Sequence, residues 1–148
     1  MKKFELTSET RVHLGTTLYR IKALISFGNV SAGDLGGFVE KEENLDQFGS
    51  SWVSDNAWVY GDARVDGNAR VDKISSVFWI SAIGSRNDTS TFFKCNDGKI
   101  RVSCGCFFGD LEEFSAKVKK THGENEYGRV YMLAIEIAKA RISLEGEQ

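Results

Sequence analysis

The sequence predicts a mainly β chain. A short three-sided coil of parallel strands is expected over residues 35–84, capped by an N-terminal β-hairpin over 1–34, with an α+β lobe of two strands and two helices over 85–148. Three observations carry that prediction. β-branched aliphatic residues recur every six positions at Val53, Val59, Val65, Val71, Val77 and Ile83. Small residues stand in a second phase at Ala57, Ala63, Ala69, Ser75 and Ser81, and that phase extends back through Ser51, Leu45 and Val39. Between them lie the pairs Asp55-Asn56, Gly61-Asp62 and Gly67-Asn68, residue types that tolerate left-handed backbone angles in turns. A helix of 3.6 residues per turn cannot hold a six-residue period on one face, and a hairpin would reverse with less regular spacing. Three short strands per lap satisfy it, with a β-branched residue pointing inward and a small one near each corner. At about eighteen residues per lap the stretch makes fewer than three laps, so flanking segments or another subunit must cover its ends.

Val59-Tyr60-Gly61-Asp62-Ala63-Arg64-Val65-Asp66-Gly67-Asn68-Ala69-Arg70-Val71 resembles the left-handed parallel β-helix of hexapeptide-repeat proteins. The chain as a whole is similar to hexapeptide-repeat proteins of unassigned function encoded by phages and prophages. That likeness rests on Tyr19-Arg20-Ile21-Lys22-Ala23-Leu24, on Gly33-Asp34-Leu35-Gly36-Gly37-Phe38-Val39-Glu40, on Ile83-Gly84-Ser85-Arg86-Asn87-Asp88-Thr89 and on Cys104-Gly105-Cys106-Phe107. The resemblance implies a phage-type accessory protein in the cytoplasm of a bacterial host, with a role in host takeover or counter-defence. Many hexapeptide solenoids are trimeric acyltransferases with a histidine base at an inter-subunit cleft. The two histidines of this chain, His13 and His122, both lie outside the repeat, which counts against acyl transfer.

The flanks read more simply. Phe4 to Thr10 and Thr17 to Leu24 have strand composition around a turn near Leu14-Gly15. Thr89 to Lys94 and Lys99 to Cys106 are expected as two strands around Asn96-Asp97-Gly98. Asp110-Leu111-Glu112-Glu113 has capping-box spacing for a helix that runs to His122 and stops at Gly123. A second helix begins near Asn125, with Tyr127, Val130, Tyr131, Ala134, Ile135 and Ala138 as its packed face.

Composition narrows the functional classes. In 148 residues, 41% are hydrophobic and 27% charged, which suits a globular fold. The net charge of −2 counts against a nucleic-acid partner. Residues 35–72 carry eight acids against three bases, whereas 1–34 carry five bases against three acids. No run approaches a membrane span, and Met1-Lys2-Lys3-Phe4-Glu5-Leu6-Thr7 turns polar before a signal-peptide hydrophobic region forms. A cytoplasmic protein with no membrane partner is expected, and its three cysteines should be reduced thiols.

Four constellations are candidates for function. Ser85-Arg86-Asn87-Asp88-Thr89-Ser90-Thr91 is expected as a junction loop whose guanidinium, carboxylate and hydroxyls suit a small anionic ligand or a host protein. Trp52, Trp58 and Tyr60 should face away from the coil, with Arg70 stacked beside Trp52 and Phe78 beside Tyr60, and so meet another chain or the C-terminal lobe. Cys104 and Cys106, on one side of a strand, join Cys95 and His122 as a candidate Cys3His zinc site, as a reactive thiol paired with His122, or as small core residues. Lys117, Lys119 and Lys120, flanked by Glu112, Glu113, Glu124 and Glu126, read as a solvated helix face. Taken together, these features point to a non-catalytic binding protein that forms a homo-oligomer, dimer or trimer; no cofactor is implied. The alternatives are an acyltransferase-like or thiol-dependent enzyme and a structural assembly module.

Overall fold

The computed structural model describes residues 2–146, the last four of them by backbone alone. The chain divides into two compact units, Met1–Ile74 and Ser75–Gln148. Among the described residues no helix is long and apolar enough to cross a membrane.

In the first unit, β1 (Phe4–His13) and β2 (Thr16–Ala23) form an antiparallel hairpin. Leu14 and Gly15 make its turn at φ 49° and 84°. Such paired positive angles match the right-handed twist of the flanking strands. β2 also pairs antiparallel with β3 (Leu35–Val39). The repeat region contributes three strands of only two residues each, β4 (Trp52–Val53), β5 (Trp58–Val59) and β6 (Arg70–Val71).

The left-handed parallel β-helix expected from the six-residue period is not formed. The described residues form small, mostly antiparallel sheets and two α-helices. Among the described residues, parallel strand pairing is limited to β3 with β5, β4 with β6, and an isolated bridge between Leu45 and Val65. Register explains why. Val39 faces Val59 and Leu45 faces Val65, twenty positions on, whereas Val53 faces Val71, eighteen positions on. Two extra residues therefore enter between Leu45 and Val53, around the exposed Phe48, and break the phase. Only Val53 to Val71 keep the six-residue step, and their parallel contact with Val39 to Val53 amounts to these short pairings. Val77 and Ile83, which continue the six-count, belong to an antiparallel strand of the second unit.

The period does identify interior residues. Val53, Val59, Val65 and Val71 are fully buried, together with Ser51, Ala57, Ala63 and Ala69. Asn44, also buried, ties the turns around them: its Nδ2 donates to the carbonyls of Gly61 (3.0 Å) and Ala63 (2.9 Å). Its Oδ1 accepts from the Lys41 N–H at 3.0 Å. Lys3 is buried too. Its Nζ donates to the Ser51 carbonyl at 2.7 Å and lies 5.0 Å from the Phe27 ring centre.

The second unit is a four-stranded antiparallel meander, where the sequence predicts two strands. β7 (Val77–Ile83), β8 (Asp88–Lys94), β9 (Ile100–Cys104) and β10 (Phe107–Asp110) follow one another, each paired with the next. Two helices follow, α1 (Leu111–His122) and α2 (Glu126–Gly146). Asp110 closes the capping box: its Oδ1 accepts from the Glu113 N–H, and Glu113 Oε1 accepts from the Asp110 N–H, both at 2.9 Å. That satisfies two amides the first helical turn leaves unpaired. Gly123 ends α1 at φ 64°. Phe92, Val102 and Ile83 from the sheet meet Phe114 and Val118 of α1 and Tyr131, Ala134, Ile135, Ala138 and Ile142 of α2 in one core.

Candidate functional site

Ser85 to Asn87 form the tight turn of the β7–β8 hairpin, not a loop between domains. Gly84 and Asn87 take φ 78° and 50°, and the Asn87 N–H donates to the Gly84 carbonyl at 3.3 Å. Just before the turn, Ala82 at φ 61° forms a bulge, since Ile80 and Ile83 face Ser90 and Asp88. An extra residue of this kind bends the strand and turns later side chains to the other face. Ile83 thereby joins the helix-side core.

The β9–β10 turn lies at the same end of the sheet. Cys104 pairs with both Ser90 and Phe107, leaving Gly105, at φ 58°, and Cys106 as a two-residue turn. The expected strand from Lys99 to Cys106 therefore stops at Cys104, because the chain reverses at Gly105. Cys106 is exposed, whereas Cys104 is half-buried and accepts a hydrogen bond from Ser90 Oγ at 3.1 Å.

These two turns, α1 and one residue of α2 enclose a cavity of about 440 Å³. Ser85, Arg86 and Asp88 come from the first turn, and Cys104, Gly105, Cys106 and Phe107 from the second. Phe114, Lys117, Val118, Thr121 and His122 line it from α1, and Tyr131 from α2. Its aromatic wall is tightly interlocked. Phe114 meets Tyr131 edge-on at 5.6 Å, and His122 stacks on Tyr131 at 5.7 Å. The volume falls in the range that small-ligand sites occupy.

Arg86 and Lys117 bring fixed positive charge to this cavity, against the carboxylate of Asp88. Tyr131 is held as a phenol, its pKa pushed up to about 12, first by burial, then by Cys104 and Asp88, with Arg86 opposing. Burial also pushes the Cys104 thiol up; the Asp88 carboxylate adds to this, while hydrogen bonds from Ser90 and Tyr131 oppose it. A thiol so placed is a weak hydrogen-bond donor and not the thiolate that nucleophilic catalysis needs. The cavity thus offers cations, hydroxyls and an apolar floor.

Of the residues singled out from sequence, Ser85, Arg86, Asp88, Cys104, Cys106 and His122 come together here. Asn87 and Thr89 stand beside the cavity: Asn87 in the turn, Thr89 with its Oγ1 2.8 Å from Ser81 Oγ. Thr91 is buried in β8. Cys95 lies five residues along from Ser90, about 16 Å at the rise of a strand. It is buried, and that burial pushes its thiol up while Arg101 opposes. Among the described residues no group of three or more His, Cys, Asp or Glu side chains is placed to hold a metal ion.

Trp52, Trp58 and Tyr60 belong to the first unit. Trp52 is only 4% exposed, because Phe4 and Phe27 of its own unit meet its indole edge-on at 6.5 and 5.3 Å. Arg70 does pair beside it in register. Trp58 and Tyr60 are half-buried beneath His13, whose ring lies 4.3 and 5.5 Å from theirs. Phe78 stacks on Phe92 at 5.8 Å within the second unit.

Sequence reasoning missed Phe114, Lys117, Thr121 and Tyr131. Lys117 and Thr121 are four apart on α1, one helical turn, and His122 adjoins Thr121. That spacing was the available signal. No family model matches the chain, and no curated protein matches it.

Proposed function

We propose that the protein is a non-catalytic binding protein that takes a small anionic ligand in the cavity of its second unit. The observation that carries this reading is the lining itself: Arg86 and Lys117 beside the hydroxyls of Ser85, Thr121 and Tyr131, over Phe107 and Phe114. A guanidinium fork can hold a carboxylate or phosphate through two parallel hydrogen bonds. Tyr131 kept neutral does not repel such a group. A hairpin turn on a sheet positions Arg86 without much ordering cost on binding. The raised pKa of Cys104 supports binding over thiol catalysis.

The setting of this reading is a bacterial cytoplasm, where the three free cysteines stay reduced. Host takeover or counter-defence, which the phage resemblance implies, would then act by sequestering the ligand. Calorimetric titration with inorganic phosphate, succinate and a mononucleoside monophosphate tests the reading. Saturable one-to-one binding of at least one probe, lost in Arg86→Ala, is the expected result. Binding unchanged in that variant contradicts it, and so does the absence of heat from all three probes.

A further inference from the structure

We propose that α2 pairs with the α2 of a second copy of this chain as a short, parallel, two-stranded coiled coil. The helix carries two apolar faces. One, made of Tyr131, Ala134, Ile135, Ala138 and Ile142, is buried in its own unit. The other is Val130, Leu133, Ile137 and Ala140, which stay exposed; the three large residues are 37%, 64% and 48% accessible. Large apolar residues on a solvent face mark an unfilled contact.

At 100° per residue the second stripe is centred about 130° around the helix from the first. α1 lies against another flank, where Ser115 Oγ is 3.6 Å from Met132 Sδ and Phe114 meets Tyr131. The stripe is therefore covered neither by the unit's core nor by α1.

Spacing and chemistry say what fits it. Steps of three, four and three residues give heptad positions a, d, a and d. β-branched Val130 and Ile137 stand at a and Leu133 at d, the arrangement that favours two parallel strands. Charge selects the same geometry. Glu136 holds the flanking g position and Arg141 the following e position. Parallel pairing sets Glu136 of each copy against Arg141 of the other, twice by symmetry. Antiparallel pairing brings g against g and sets Glu136 against itself. Among the described residues, Glu136 makes a stretched contact to Lys139 within its own helix, at 3.9 Å.

Light scattering and sedimentation of the full chain across a wide concentration range test this. The mass is expected to rise from 16.5 kDa toward twice that value as concentration increases. Leu133→Asp should keep the protein monomeric throughout and, because the side chain is exposed, melt close to the wild type at concentrations where the wild type is monomeric. Glu136→Arg and Arg141→Glu should each weaken association about tenfold, since each sets like charges together twice. Combined in one chain they should restore it. A wild-type monomer at every concentration overturns the proposal. So does a dimer that Leu133→Asp leaves intact, or a double variant that stays as weak as the singles.

Discussion

The hydroxyl of Tyr131 occupies the space that a Cβ on Gly84 would need. With Gly84 at φ 78°, the β7–β8 turn approaches α2 as closely as it does only because position 84 lacks a side chain. The contact fixes the turn that carries Arg86 against the helix that carries Tyr131, two walls of one cavity.

Gly84→Ala should therefore destabilise the second unit by about 2–4 kcal/mol, adding left-handed strain to overpacking. Tyr131→Phe in the same chain should recover part of that loss. The recovery is incomplete because a methyl at position 84 would also lie 2.6 Å from Cζ of the ring. Urea unfolding of the two single variants and the double variant measures the coupling.

Arg86 is exposed at a hairpin turn, so Arg86→Ala should leave the melting temperature within about a degree of wild type, as surface changes away from caps and cores do. A marked loss of stability would make Arg86 a structural clamp of the turn.

The cysteines should separate by reactivity. Cys106 is exposed in its turn, whereas burial pushes the thiols of Cys95 and Cys104 up. Iodoacetamide at neutral pH should modify Cys106 first, with the other two lagging until the protein unfolds. Mass spectrometry of the partly alkylated chain gives the order; rapid labelling of Cys104 would revive the thiol-enzyme reading.

Lys3 gives the first unit a pH dependence. Burial lowers its pKa to about 8, with Asp46 opposing, Arg70 adding and Asp66 opposing. The unfolded chain holds this proton up to about pH 10.4, so between the two values it binds more protons than the folded one. Stability should rise with pH across that window, by on the order of 2 kcal/mol from pH 8 to pH 10. Lys3→Met should remove the rise in denaturant titrations compared at each pH.

The six-residue period revealed which residues are interior because Val53, Val59, Val65 and Val71 share one environment. It misled on architecture for two physical reasons. A two-residue insertion around Phe48 changes phase without changing composition. Six is also a multiple of the strand period, so the count runs on into β7 unbroken. There the bulge at Ala82 sends Ile83 to the helix-side core, which does not include Val77. Local signals were legible where the chemistry is local: Asp110 with Glu113 at a helix start, and Leu14-Gly15 at a hairpin. The Ser85–Asp88 half of the candidate site shows in its polar run. Lys117 and Tyr131 do not, because only the packing of α1 and α2 on the sheet turns them toward it.

Anion binding at Arg86 is tested most directly by amide chemical-shift mapping of labelled protein during titration with inorganic phosphate. The expected result is saturable shifts confined to residues 84–89, 104–107, 114–122 and the neighbourhood of Tyr131. Shifts that grow linearly without saturating, or that fall mainly in the first unit, would contradict it.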